Sequence, residues 1–184
     1  MDNGENSYRR FREGGDESGL IEIIRDYKDG LILYLASIVG DVHTAEELAE
    51  DTFVLLGTKK PKDKGKSSFK TWLYSIGFNI AAKQFRKRAN ITLVPIDAQE
   101  ILDEENIEKN YLKNERDRMI HKSLHKLKTE YRQVLYLSFF ECLKNEETAL
   151  IMKKSKRQVE NLLYNAKKAL RAELERSGYD YEEQ

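Results

Sequence analysis

One cysteine and two prolines among 184 residues exclude several architectures at once. Cys142 has no partner thiol in the chain, so neither an internal disulfide scaffold nor a cysteine-rich zinc cluster can form. Two prolines and 10 glycines supply too little turn chemistry for a β-sandwich, whereas a charged fraction of 35% suits long, solvated helices. Long hydrophobic runs are missing too: stretches such as Leu31 to Leu35 are short, and the opening MDNGENSYRRFREGG lacks the apolar core of a signal peptide. No membrane insertion and a reducing, cytoplasmic setting are therefore expected. No phosphate-binding glycine loop, no paired histidine and nucleophile, and no carboxylate cluster marks an enzyme, and no cofactor is implied. His121 and His125 stand one helical turn apart without a third ligand nearby, so no metal is expected, and Cys142 reads as a small buried hydrophobe.

Charge is balanced in total, 32 basic against 32 acidic residues, but not along the chain. Residues 59–70 hold six lysines against Asp63, and residues 153–171 hold seven lysines or arginines against Glu160. Between them, residues 89–115 hold seven acids against Lys109 and Lys113. Two basic islands flanking an acidic stretch fit nucleic-acid contact and also fit ordinary solvated surface.

Apolar residues then place the helices. Leu20, Ile24, Tyr27, Leu31, Leu35 and Ile38 recur at steps of three and four, the stripe of a core-facing helix, with Gly30 a point where it could divide. Gly40 suits a left-handed cap, and Thr44 with Glu47 reads as a capping box for a helix to about Leu56 that Gly57 ends. Ala45, Leu48, Ala49, Thr52, Phe53, Leu55 and Leu56 bury one side of it, and its outer side is acidic, with Glu46, Glu47, Glu50 and Asp51. The loop TKKPKDKGK follows as a cationic segment. Ser67 or Ser68 can cap the next helix, which runs to about Arg88 with Phe69, Leu73, Ile76 and Ile80 buried. On it, Trp72, Asn79, Lys83 and Arg86 share a face, placing an aromatic ring and an amide beside cations.

The period is lost at 89–105, where Pro95 and acidic residues suggest a linker. A helix resumes through Ile107, Leu112, Met119, Ile120, Leu124 and Leu127, and a second follows from Thr129 through Val134, Leu137 and Phe140. After Leu143, Asn145 can cap one helix, and Ser155 with Gln158 forms a capping box for another, a few residues apart. Ala149 permits a close crossing, and Val159, Leu163, Ala166 and Leu170 form an inner stripe, which together is the grammar of a helix-turn-helix. Lys156, Arg157, Glu160, Asn161 and Tyr164 face outward near its start and suit base edges, while Lys153, Lys154, Lys167, Lys168 and Arg171 suit phosphates. The fold expected is all-α: two small helical domains joined by an acidic flexible linker, the second a helix-turn-helix domain.

Taken together, these segments resemble the sigma factors of bacterial RNA polymerase, in the extracytoplasmic-function (ECF) group of the sigma-70 family, which keeps the second and fourth conserved regions. TAEELAEDTF (44–53) resembles the helix that grips the polymerase clamp, implying contacts by Glu46, Glu47, Glu50, Asp51 and Phe53. GKSSFKTWLYSIGFNIAAKQFRKR (65–88) resembles the segment that melts and reads the minus-ten element. It implies Ser67, Ser68, Phe69, Lys70, Trp72, Asn79, Lys83, Arg86, Lys87 and Arg88 as DNA-facing. Residues 124–170 resemble the domain that docks on the polymerase flap and reads the minus-thirty-five element, implying Ser155, Lys156, Arg157, Gln158, Glu160, Asn161, Tyr164, Lys167, Lys168 and, just beyond, Arg171. In this sequence Lys153 stands where relatives commonly have glycine in the turn.

The resemblance implies a flexible N-terminus (1–15), a region 2-like domain (16–88), a linker (89–115), a region 4-like domain (116–176) and an acidic tail (177–184). Core polymerase, promoter DNA and an anti-sigma factor are the implied partners. Plainer explanations coexist: Trp72 also fits a core aromatic, the loop lysines fit solvated charge, and the acids of 46–51 fit an ordinary exposed face. A stand-alone helix-turn-helix regulator is the rival function; a protein-binding adaptor is a third.

Overall fold

The computed structural model describes residues 3–91 and 115–178, with side chains over 3–87 and 117–178. The expected acidic linker lies largely outside the described residues, as do the final residues of the acidic tail. Among the described residues there are helices and no strands.

The first helix is a correction. Residues 1–15 were expected to be flexible, yet α1 (Asn3–Gly14) is helical and buries Gly4, Ser7, Tyr8 and Phe11. Those four follow the i, i+3, i+4, i+7 spacing of a packed stripe, but Gly and Ser contribute no apolar signal to it. At Gly4 a Cβ would come within 2.5 Å of Phe69 and of the Tyr27 hydroxyl.

Helix α2 (Glu17–Val39) begins at Asp16, whose carboxylate accepts the Ser18 N–H, and runs through Gly30 without a break. Gly30 serves proximity rather than bending: a Cβ there would sit 2.6 Å from the Tyr74 hydroxyl and 2.7 Å from a carboxylate oxygen of Glu141. Gly40 ends the helix at φ 79°, as its sequence position suggests.

Helix α3 (Val42–Lys59) starts earlier and stops later than expected. Asp41, rather than Thr44 with Glu47, is the cap, accepting the Thr44 N–H at 2.7 Å, and Gly57 stays within the helix, which ends on Lys60 at φ 44°. Helix α4 (Phe69–Ile91) starts after Ser68, whose hydroxyl accepts the Thr71 N–H at 3.3 Å. It outruns the expected end at Arg88.

In the second half, α5 (Glu115–His125) and α6 (Thr129–Leu135) lead into a π-helical turn, Tyr136–Phe140. The turn stacks Tyr136 on Phe140 at 4.8 Å. Helix α7 (Asn145–Met152) begins one residue after Lys144, whose N–H donates to Glu147 at 3.1 Å, so Asn145 is not the cap. Helix α8 (Lys156–Arg176) follows after the short turn Lys153–Ser155. Its capping box is formed as read from the sequence, with Gln158 N–H to Ser155 Oγ at 3.2 Å and Ser155 N–H to Gln158 at 2.7 Å.

The two bundles pack on each other, and their buried residues form one continuous cluster from Tyr8 to Ala166. Helix α6 lies on α2, and α7 lies on α4. The buried Arg132 of α6 fixes the first of these contacts: its Nε donates to the Ser37 carbonyl at 3.1 Å. The rest of its guanidinium bonds the His125 and Leu127 carbonyls and the Thr129 hydroxyl. His121 and His125 sit beside it against Leu33 and Ala36 around a cavity of about 10 Å³, room for one water. Cys142, expected to be buried, is exposed and takes φ 54° just after the π-helical turn.

A candidate nucleic-acid interface

The stripe that builds α3 also decides which of its side chains face out. Ala45, Leu48, Ala49, Thr52, Phe53 and Leu56 turn inward, leaving Glu47, Glu50 and Asp51 exposed and Glu46 partly so. Glu46 lies 3.6 Å from the His43 ring nitrogen. Phe53 is therefore a correction: at 7% exposure it is core and cannot be a contact for a partner. The outward apolar position next to it belongs to Val54.

Helix α4 divides its expected DNA-facing residues in two. Asn79, Lys83, Arg86 and Lys87 are exposed along one stretch, a line of amide and cationic groups fitted to a backbone of phosphates. The Arg88 side chain lies outside the described residues. At the other end, Phe69 is buried at 1% exposure, so its expected role as a DNA contact is corrected. Trp72 is half-buried, with Tyr8 and Phe69 rings at 5.1 Å and 5.6 Å, so its ring is committed to packing under α1. The period of 3.6 puts Trp72 on the same face as Asn79 and Lys83, but its ring is covered by a helix that the sequence did not reveal.

Ser67 is partly exposed, whereas Ser68 and Lys70 are engaged by the second domain. Glu147 of α7 accepts from the Ser68 hydroxyl at 2.8 Å and from the Thr71 hydroxyl at 3.0 Å. Glu141, just past the π-helical turn, lies 2.5 Å from the Lys70 ammonium, which also donates to the Glu141 carbonyl at 3.1 Å. Desolvation opposes the charged form of Glu147, yet its carboxyl is held below the usual range by the Lys144 N–H and the two hydroxyls. These two acids were not singled out in the sequence, because nothing local signals a partner more than 70 residues away.

The second surface is open. Ser155, Lys156, Arg157, Gln158, Glu160, Asn161, Tyr164, Lys167, Lys168 and Arg171 are all exposed on α8 or its cap. Lys156 bonds Glu146 at 2.6 Å, which steadies the start of the helix against α7 and draws the Glu146 carboxyl below its usual range. Lys168 lies over the Tyr164 ring at 4.5 Å, and Lys167 over Phe139 at 5.1 Å, so both ammonium groups are held on the outer face by aromatic surface. Arg171 pairs with Glu175 at 3.0 Å. A helix presenting amide, guanidinium and phenol groups near its N-terminus and ammonium groups further along can read a major groove and grip its borders.

The surface chemistry defines a helical protein with a polar, cationic α4 stripe and a separate helix-turn-helix. Among the described residues no helix is long and apolar enough to cross a membrane, and no three potential metal ligands cluster. Residues 23–91 match Sigma-70 region 2, and residues 117–170 match Sigma-70, region 4. The chain belongs to the sigma-70 family and is a sigma factor of its ECF group. It is similar to RNA polymerase sigma factor YlaC of Bacillus subtilis (strain 168), 28% identical over 159 residues covering 85% of this chain and 92% of YlaC. It is also similar to ECF RNA polymerase sigma factor SigW of the same organism, 25% identical over 87% of this chain and 91% of SigW. Among solved structures it shares the fold of sigma factor RpoE from Bartonella quintana, in complex with the anti-sigma factor NepR. That likeness has TM-score 0.63 at 18% identity and covers 86% of this chain and 96% of that one. CnrH in complex with the cytosolic domain of CnrY gives TM-score 0.61 at 19% identity over 94% and 95% of the two chains.

Proposed function

We propose that this sigma factor is a dissociable cytoplasmic initiation factor that binds core RNA polymerase, directs it to a two-part promoter and helps open the minus-ten region, with no covalent chemistry of its own. The observation that carries the reading is the pairing of distinct surfaces in one chain: an acidic α3 face, a polar cationic α4 stripe and an exposed α8. Glu47, Glu50 and Asp51 suit a basic surface of the polymerase clamp, since their carboxylates would repel phosphate. Asn79, Lys83, Arg86 and Lys87 suit the separated strand at the minus-ten element. Arg157, Asn161 and Tyr164 suit base edges upstream, with Lys167, Lys168 and Arg171 on phosphates and the flap as the protein contact of that domain.

Run-off transcription with core polymerase from the source organism tests this reading. Promoter-specific transcripts are expected from at least one genomic template, and their absence from every template would overturn it. Within that assay, Glu47→Lys and Asp51→Lys should weaken core binding while changing stability by less than about 0.5 kcal/mol. A dedicated anti-sigma protein is a further expected partner, by analogy with RpoE in its complex with the anti-sigma factor NepR, and pull-down from the native cell tests it.

A further inference from the structure

Four donors of the first domain that lie at the start of α4 are already occupied by acceptors of the second. Glu147 takes the Ser68 and Thr71 hydroxyls with one carboxylate oxygen and the Lys144 N–H with the other. Glu141 takes the Lys70 ammonium, and its side chain is only 8% exposed there. It also hydrogen-bonds the Tyr74 phenol, under the open shoulder that Gly30 leaves on α2. Carboxylate oxygens thus sit where the phosphate oxygens of a strand laid on Ser68 and Lys70 would go. Both ligands are anionic and accept from the same groups, so they cannot be bound together.

We infer that Glu141 and Glu147 form an intramolecular latch: in the free protein the second domain closes on α4 through these two acids, withholds part of the strand-binding surface, and must move away before DNA is held. This rests on the initiation-factor reading and names the regulation of that surface. Packing supports it, because α7 lies against α4 and Lys153 places its ammonium 5.9 Å above the Phe78 ring, beside the same contact. The exposed face of α8 is untouched by the latch, so upstream double-stranded contacts stay available in the closed state.

When the binding-competent form is a minor fraction, apparent affinity falls by that fraction. In the full-length free protein, Glu141→Gln with Glu147→Gln should therefore bind a fluorescein-labelled, mixed-sequence single-stranded DNA about tenfold more tightly than wild type if the open form is near one tenth of the population. Glu147→Gln alone, on the less buried acid, should move the same way, and keeps the test alive if the double variant misfolds. Removing two negative charges strengthens DNA binding by itself, so Glu17→Gln with Asp29→Asn, on exposed acids of α2, is the matched control and should gain less than about twofold. A zero-length carbodiimide reagent should join Lys70 to Glu141 in the free wild-type protein, identified as a linked peptide, and the link should vanish when core polymerase is added.

Equal affinities for latch and control variants, or no Lys70–Glu141 link in the free protein, would overturn the inference. Run-off transcription separates its failure from that of the underlying reading. Transcripts with no latch effect sink the latch alone. A latch effect without transcripts keeps the latch and sinks the initiation factor.

Discussion

Arg132 of α6 and Ser37 of α2 are joined across the two domains by a hydrogen bond of 3.1 Å from the guanidinium Nε to the main-chain carbonyl. Ser37 is near the end of its helix, so its carbonyl lacks a full set of helical partners, and a buried cation is an apt donor for it. The same guanidinium bonds three other groups, and burial lowers the pKa of this arginine.

Arg132→Ala should accordingly cost about 2–4 kcal/mol, because it leaves several buried carbonyls without a donor. Arg132→Lys should recover only part of this, since an ammonium cannot reproduce the planar fork. Urea unfolding of each variant measures the difference.

Gly30→Ala should destabilise the protein although alanine favours helices. The gain in helix propensity is at most about 1 kcal/mol, and forcing a methyl between the Tyr74 hydroxyl and Glu141 costs about 1–3 kcal/mol. Gly14→Ala is the contrast, because nothing lies within 4 Å of its Cβ. Its urea midpoint should hold or rise slightly.

Lys153→Gly should stabilise the turn of the helix-turn-helix. Lys153 holds φ 54°, where a side chain costs about 1–2 kcal/mol, and glycine returns part of that as unfolded-state entropy. A net gain of about 0.5–1 kcal/mol is expected by thermal or urea unfolding.

Acidification should weaken the fold already below about pH 6.5. Burial lowers His121 to about 4, against a small opposing pull from Asp117. Burial also lowers His125 to about 3, with the Arg132 charge and His121 acting in the same direction. The unfolded chain takes up protons on both near pH 6.5 while the folded protein resists, so stability is complete above that pH. It declines as pH falls toward 4, at up to about 1.4 kcal/mol per pH unit for each histidine. Acids with lowered pKa, such as Glu147, give up their contribution only below about pH 4.5. Urea midpoints at pH 5, 6 and 7 should follow this slope, and His121→Gln with His125→Gln should flatten it.

On α8, Arg157→Ala should relax discrimination among upstream sequences by about 1–3 kcal/mol at the position it reads. Lys167→Ala and Lys168→Ala should weaken all duplexes alike, each flattening the dependence of log K on log salt by about 0.9. Titrations of polymerase bound to variant promoters at several salt concentrations distinguish the two effects.

Local rules carried much of this architecture. The Ser155–Gln158 box, the left-handed Gly40 and the inner stripe of α8 involve residues within one or two turns of each other, so their geometry follows from spacing. At Phe53 and Phe69 the apolar stripes were right and the family resemblance misled: the period places both inside, and there they are buried, while Trp72 packs under α1. Helix α1 was hidden because Gly4 and Ser7 hold half of its buried stripe without being apolar. The Lys70–Glu141 and Ser68–Glu147 pairs depend on how two separate bundles meet, which no window of sequence encodes. Lys153 shows the reverse case, a left-handed residue whose strain the sequence hinted at only through the glycine that relatives place there.

Tyr8 has a consequence for anyone trimming this chain. Its phenol donates to the Pro61 carbonyl at 2.6 Å while its ring lies against Phe69 and Trp72, and burial pushes the phenol up to about 12. A fragment started at residue 23, where the region 2 match begins, would look complete by homology. It would nevertheless unroof two aromatic rings and free one end of the lysine-rich loop. Such a fragment would be sticky toward itself and toward polyanions, and its apparent DNA binding would report the cut rather than the protein.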